Sequence, residues 1–164
     1  MAFGTSSTSN TSASGKPERS PREIAITLLA RREYSRAELA SRLERKDVPA
    51  DEIDACLNAL AEQGLQSDTR FAESFIRSRI FRGQGVRRIE SELRQRGVDS
   101  ATYAAALAEV VAQEEVDWCE LACEALSRRF STPGDSPKER AKRERFLANR
   151  GFDFDQIRYA LSML

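Results

Sequence analysis

Three stretches of this chain align with one another without a gap: LERKDVPADEIDACL (43–57), LRQRGVDSATYAAAL (93–107) and LANRGFDFDQIRYAL (147–161). Leu43, Leu93 and Leu147 coincide, as do Lys46, Arg96 and Arg150. Asp47, Gly97 and Gly151 share one position; Val48, Val98 and Phe152 share the next. Ile53, Tyr103 and Ile157 coincide, and so do Leu57, Leu107 and Leu161. The offsets are 50 and 54 residues. Self-similarity at such a period predicts a tandem array of one supersecondary unit, and it excludes most other architectures for a chain of 164 residues.

Each block has a physical logic. The Leu-x-x-basic stretch ends a helix and places a cation at the negative end of its dipole. Glycine then stands where the chain needs a left-handed residue. The apolar residue after it can fold back on the helix just ended. A second helix follows and turns Ile or Tyr and then Leu inward, four residues apart. Asp47 replaces glycine in the first block. Aspartate tolerates the left-handed region less well, so this turn is expected to be the weakest of the three.

Helix-opening signals complete the units. Ser20-Pro21-Arg22-Glu23, Ser35-Arg36-Ala37-Glu38 and Ser136-Pro137-Lys138-Glu139 read as capping boxes, and Asp153 with Gln156 is a variant. Ala25, Ile24 and Leu28 begin one apolar face, and Leu39 and Leu43 another. Upstream of each block the spacing predicts a further helix, over 22–33, 68–82 and 114–130. Strand-like alternation is nearly absent, so helices of about 10–17 residues joined by short turns are expected. The predicted fold is all-α: three tandem three-helix repeats, helix-turn-helix-like, stacked into an elongated and curved molecule. The expected divisions are a tail at 1–20 and repeats at 21–66, 67–112 and 113–164. The tail is rich in Ser, Thr, Asn and Gly, with too little apolar content to offset the entropy of ordering, so disorder is expected there. A unit this short is expected to need its neighbours to cover its apolar surface. In helix 68–82, Phe71 and Phe75 form one stripe, with Ile76 and Ile80 roughly opposite, which predicts burial on two sides. Arg79 and Arg82 fall on the Phe71/Phe75 stripe. Arg79 is therefore expected to cap carbonyls or to pair with an acid between units.

Little chemistry is available to the chain. It has no histidine, which removes His-based triads, His ligands and His proton relays. Cys56, Cys119 and Cys123 are an odd count for a disulfide framework. Cys119 and Cys123 share a helix face, but two thiols without a third ligand suit helix packing better than a metal. There is no GxSxG and no GxxxxGKS phosphate loop; Gly83-Gln84-Gly85 lacks a preceding strand and reads as a tight turn between helices. Glu114 and Glu115 read as solvated helix surface. No catalytic residue, cofactor or metal is expected. No apolar run approaches a membrane span, and the N-terminus lacks the pattern of a secretory signal, so a cytoplasmic monomer is expected.

Charge carries more information. The formal net charge is zero, from 26 bases, 22 of them arginine, against 26 acids. Residues 70–96 hold eight Arg and three Glu, 97–125 hold seven acids and no base, and 126–150 hold eight bases and three acids. Basic surfaces separated by an acidic band suggest a polyanionic or acidic partner met at defined places. In helix 137–149, Lys138, Lys142, Arg145 and Asn149 make one polar stripe opposite Phe146 and Leu147, suited to an acidic groove or a phosphate backbone. In helix 86–96, Val86, Ile89 and Leu93 face inward while Arg87, Arg94 and Arg88 project away. Arg77 joins these as a candidate contact. The two-helix block resembles a DNA-reading helix-turn-helix, but the helix after the turn is uncharged from Ala101 to Ala108, which argues against reading base edges. Aromatic residues are few and mostly core-like, so base stacking has weak support.

The middle unit resembles a known family. DTRFAESFIRSR (68–79), then GQGVRRIESEL (83–93) and Arg96-Gly97-Val98, is similar to the signature of the bacterial regulatory protein RecX family. Its signature positions here are Phe71, Ala72, Phe75, Arg79, Gly83, Gly85, Leu93 and Gly97. The resemblance spans roughly residues 21–164, with Asp47 as a departure from the usual glycine. It implies tandem three-helix units and a non-enzymatic regulator with no catalytic residues. It also implies binding to RecA filaments on DNA and suppression of ATP hydrolysis, strand exchange and co-protease action, modulating recombination and the SOS response. Two alternatives remain beside it: a helical module that binds single- or double-stranded DNA directly, and a helical scaffold for an unrelated partner.

Overall fold

Short polar side chains open most of the helices. In the computed structural model, which describes residues 18–164, nine α-helices and no strand form among the described residues. The expected tail lies outside the described residues as far as residue 17. α1 (Pro21–Leu29), α2 (Arg36–Glu44) and α3 (Ala50–Glu62) make the first unit. α4 (Asp68–Phe81), α5 (Val86–Gln95) and α6 (Ser100–Gln113) make the second. α7 (Trp118–Arg129), α8 (Pro137–Arg150) and α9 (Phe154–Ser162) make the third. Ser35, Ser136 and Asp153 close full capping boxes with Glu38, Glu139 and Gln156. Ser20 accepts from the Glu23 N–H, but the reciprocal half of the expected box does not form. Asp99 caps α6 by accepting the Thr102 N–H at 2.7 Å, and that bond holds its carboxyl below the usual range.

Several helices are shorter than periodicity suggests, 9 to 14 residues in all. α1 stops at Leu29 rather than 33, because the chain turns to bury Tyr34 and Ser35. α7 begins at Trp118 rather than 114. Glu115 adopts a left-handed backbone (φ 50°), and Asp117 caps the helix by accepting the N–H groups of Cys119 and Glu120. Glu114 and Glu115 therefore lie in a turn and not on a helix surface. α6 runs to Gln113, one residue beyond the expected end of the second repeat.

The repeat positions do what the alignment requires. Leu43, Leu93 and Leu147 are fully buried, one in each of three separate cores. Burying a leucine completely contributes about 1.5–3 kcal/mol. Val98 and Phe152 are buried after their turns, and Val48 packs on the first core. Asp47, Gly97 and Gly151 all have positive φ, of 59°, 82° and 99°.

Where burial occurs differs from expectation. Each unit has its own core, and Trp118 of the third unit packs against the core of the second. Both apolar stripes of α4 feed the one core of the second unit, where Phe71, Ala72 and Ile76 are buried beside Phe75 and Ile80. The helices of the second unit cover both stripes of α4 in one core, and Trp118 of α7 adds to that core from the third unit. Arg79 pairs with an acid of its own unit, Glu92 on α5, at 3.1 Å, and its guanidinium lies over the Phe75 ring at 4.5 Å. Burial pulls its pKa down and Glu92 opposes that.

The seams between units are largely polar and follow one plan. The turn after the second helix of one unit docks on the start of the second helix in the unit before it. At the first seam the Ser35 hydroxyl, at the cap of α2, donates to the Arg96 carbonyl at 2.7 Å. At the second seam the Gly85 N–H, at the cap of α5, donates to the Arg150 carbonyl at 2.7 Å, and the Arg87 N–H donates to the Gly151 carbonyl at 3.0 Å. The docked glycines have no room for a side chain. A Cβ on Gly97 would stand 2.4 Å from the Ala37 Cβ, and one on Gly151 would stand 2.5 Å from the Arg88 nitrogen. Asp47 is exposed, and among the described residues no second unit packs on it.

Candidate partner-binding surface

The sequence-predicted contacts divide into three groups. Lys138, Lys142, Arg145 and Asn149 are all exposed on α8. None of the three cations forms an ion pair among the described residues, while their neighbour Arg140 faces Glu144 at 3.9 Å. The stripe is therefore free positive charge.

The arginines of α5 are more varied. Arg87 is exposed and unpaired among the described residues. Arg88 binds Glu92 at 3.0 Å and donates across the seam to the Asn149 carbonyl at 3.3 Å. The start of α5 thus meets the end of the α8 stripe. Arg94 pairs with Glu90 at 3.2 Å near the other end of the helix.

Arg77 stands apart. It bonds Gln113 and pairs with Glu114 at 3.3 Å, on the rim of a groove of about 470 Å³ that also holds Glu115, Asp117, Glu120 and Glu124. The structure does not bring Arg77 together with the other basic residues.

Sequence reasoning missed a further set. At the second seam, Arg82, Arg128, Arg129 and Arg150 line a cleft of about 130 Å³ with Gly83, Ala125 and Phe146. Gly83 has a left-handed backbone (φ 76°), which brings the end of α4 against Ala125 of α7. A signal existed in the repeat. Counted back from Leu43, Leu93 and Leu147, Glu38 aligns with Arg88 and Lys142. The acid of the first unit has no counterpart in the other two.

The signature residues have structural work. Phe71, Ala72 and Leu93 are core, and Phe75 packs beside them. Gly83, Gly85 and Gly97 sit in turns that form the seams. The three cysteines are free, and burial pushes each thiol upward. They are protonated near neutral pH and poor nucleophiles. Among the described residues no cluster of His, Cys, Asp or Glu could hold a metal, and no helix is long and apolar enough to cross a membrane.

This organisation has close relatives. The models of the RecX first, second and third three-helix domains match residues 22–60, 67–107 and 115–161. A regulatory protein RecX from Chromohalobacter salexigens is 56% identical, over 88% of this chain and 93% of its own length. One from Halorhodospira halophila is 44% identical, over 91% of each. Among solved structures, RecX from Lactobacillus salivarius superposes with a TM-score of 0.71 over 88% of this chain and 96% of its own, at 23% identity, a likeness of fold. A second crystal structure of a regulatory protein RecX gives 0.72 over 87% and 71%, at 22% identity. With all three domains matched in order and identity above half to a full-length relative, the chain belongs to the RecX family of regulatory proteins.

Proposed function

We propose that this protein acts on RecA filaments assembled on DNA and inhibits their ATPase, strand-exchange and co-protease activities, without catalysing a reaction of its own. In this way it modulates recombination and the SOS response. Membership of the RecX family carries the proposal. The free charge of Lys138, Lys142 and Arg145 supports it, since exposed cations without partners favour association with an anionic surface. Asn149, Arg87, Arg88 and Arg94 extend that surface. Arg77 is a weaker contact because its charge is already spent on Glu114. We take the protein to work as a cytoplasmic monomer whose repeats are 21–66, 67–112 and 113–164.

The decisive experiment titrates the protein into cognate RecA hydrolysing ATP on single-stranded DNA. Hydrolysis should fall at protein levels too low to coat the DNA. Lys138→Glu/Lys142→Glu/Arg145→Glu should weaken inhibition about tenfold or more with helicity kept. Unchanged inhibition by that variant would remove the stripe as the contact. Unchanged hydrolysis with the native protein would remove the proposal. One observation favours a second reading, direct DNA binding: the arginine-lined cleft at the second seam.

A further inference from the structure

The acidic band of the sequence folds into the groove of about 470 Å³ that Arg77 borders. Two helices from different units make its walls. α4 brings Arg77, Ile80 and Phe81, spaced i, i+3 and i+4. α7 brings Glu120, Leu121 and Glu124, together with its cap Asp117, all on one face at helical spacing. The walls are fixed to each other in two places. Trp118 of α7 packs on the core of the second unit. Gly83, just past α4, stands against Ala125 of α7, where an added Cβ would meet the alanine Cβ at 3.7 Å. The groove is therefore built before any partner arrives, and filling it carries little cost of ordering.

Its surface has two characters. Ile80 and Leu121 are half-buried edges of the second and third cores, and between these cores Phe81 is 84% exposed. An aromatic ring left in water beside other apolar side chains is surface that a partner can cover. Around it stand Glu115 and Glu120, which have no ion pair among the described residues, and Glu124, which has only Arg128 at 3.8 Å. Arg77 is the one cation lining the groove among the described residues, and Glu114 holds it at 3.3 Å. This combination selects an occupant. The carboxylates repel phosphate, which excludes nucleic acid and anionic lipid. Among the described residues no set of acids could hold a metal. A second copy could offer Lys138, Lys142 and Arg145, but these lie opposite Phe146 and Leu147 and bring no large apolar side chain to Phe81. An apolar strip between two helices, bordered by acids, fits an amphipathic helix whose apolar face is bordered by Lys or Arg.

We propose that the groove between the end of α4 and the start of α7 docks a basic amphipathic segment of a partner protein, its apolar side chains against Phe81 and Leu121 and its cations against Glu115, Glu120 and Glu124. The groove is opposite in charge to the α8 stripe, and its test needs no RecA, so it stands or falls apart from the recombinase proposal.

The test uses the full chain and a fluorescein-labelled helical peptide, leucine at every fourth position and lysine elsewhere, read by anisotropy at near-physiological salt without RecA. A matched peptide carries alanine in place of leucine and should bind about tenfold more weakly, since it offers nothing to the apolar strip. Phe81, Glu120 and Glu124 are exposed, and a thermal melt verifies the fold of each variant. Phe81→Ala should weaken binding of the leucine peptide about tenfold, as loss of a central anchor does. Phe81→Leu should retain most of the affinity. Glu120→Gln/Glu124→Gln should weaken it about fivefold. Glu44→Gln/Glu62→Gln, an equal change of charge on the first unit, should leave it unaltered. Unchanged affinity in Phe81→Ala would overturn the assignment, and so would equal binding of the two peptides. An equal loss in the first-unit variant would overturn it as well, because the attraction would then be one of net charge. Concentration-dependent dimers in sedimentation velocity that Phe81→Ala abolishes would overturn it in favour of a second copy of this chain.

Discussion

At the first seam Arg96 meets Glu38 at 2.6 Å; at the second, Arg150 in the same repeat position meets a backbone carbonyl at 3.5 Å. The backbone arrangement is nearly the same in both, with a carbonyl before a left-handed glycine accepting from a helix cap. Shape and charge have therefore varied separately. Close approach of two backbones demands glycine, whatever the surrounding electrostatics. The ion pairs above that contact are free to change, because a partly exposed cation can be solvated when its acid is replaced. The first seam is a closed structural joint. The second keeps the joint and leaves cationic surface over it.

Three substitutions sharpen this contrast, beginning with the largest effect. Gly151→Ala would force a Cβ against the Arg88 backbone, with 2.5 Å to its nitrogen, in a left-handed residue. Strain and overpacking together should destabilise the protein by about 3 kcal/mol. Urea unfolding would measure it, and a loss below about 1 kcal/mol would mean that the docked turn is loosely held.

Glu38→Gln comes next. It removes the charge facing Arg96 and Arg32, while the amide can still accept at the α2 cap. The expected loss is about 1–2 kcal/mol, as for one partly exposed charge-assisted hydrogen-bond network. The equivalent change at the second seam, Arg88→Gln, should cost less than half of this, and equal losses would erase the proposed difference between the seams. Because Arg88 also pairs with Glu92, a Glu92→Gln background separates the two contributions.

Asp47→Gly gives the smallest effect, with the opposite sign. The turn is left-handed and among the described residues no other unit packs on it, so glycine should stabilise by a few tenths to about 1 kcal/mol. A lowered melting temperature would show that the aspartate side chain contributes something that its backbone strain conceals.

Much of the architecture was legible in the residues. The six aligned positions of the block predicted the buried leucines, the left-handed turn and the apolar residue after it, because helix ends and their caps are governed by local backbone chemistry. The exposure of Lys138, Lys142 and Arg145 followed from helical periodicity alone. Helix ends at 29 and 118 were not legible, since they depend on Tyr34 finding a core and on Glu115 accepting a left-handed backbone. Both apolar stripes of α4 pack inward, as periodicity predicts, but periodicity is silent on whether one core or two will cover them.

The sequence by itself determined that this chain would be a helical array of three like units, because repeat period, caps and apolar spacing are properties of neighbours along the chain. Only the tertiary structure decided which carboxylates reach which arginines across 58 residues from Glu38 to Arg96, and that Arg82, Arg129 and Arg150 of the second seam have no ion pair among the described residues while Arg128 has only Glu124 of its own helix, at 3.8 Å. Electrostatic compensation depends on distances between side chains remote in the chain, and those distances exist only once the units have docked.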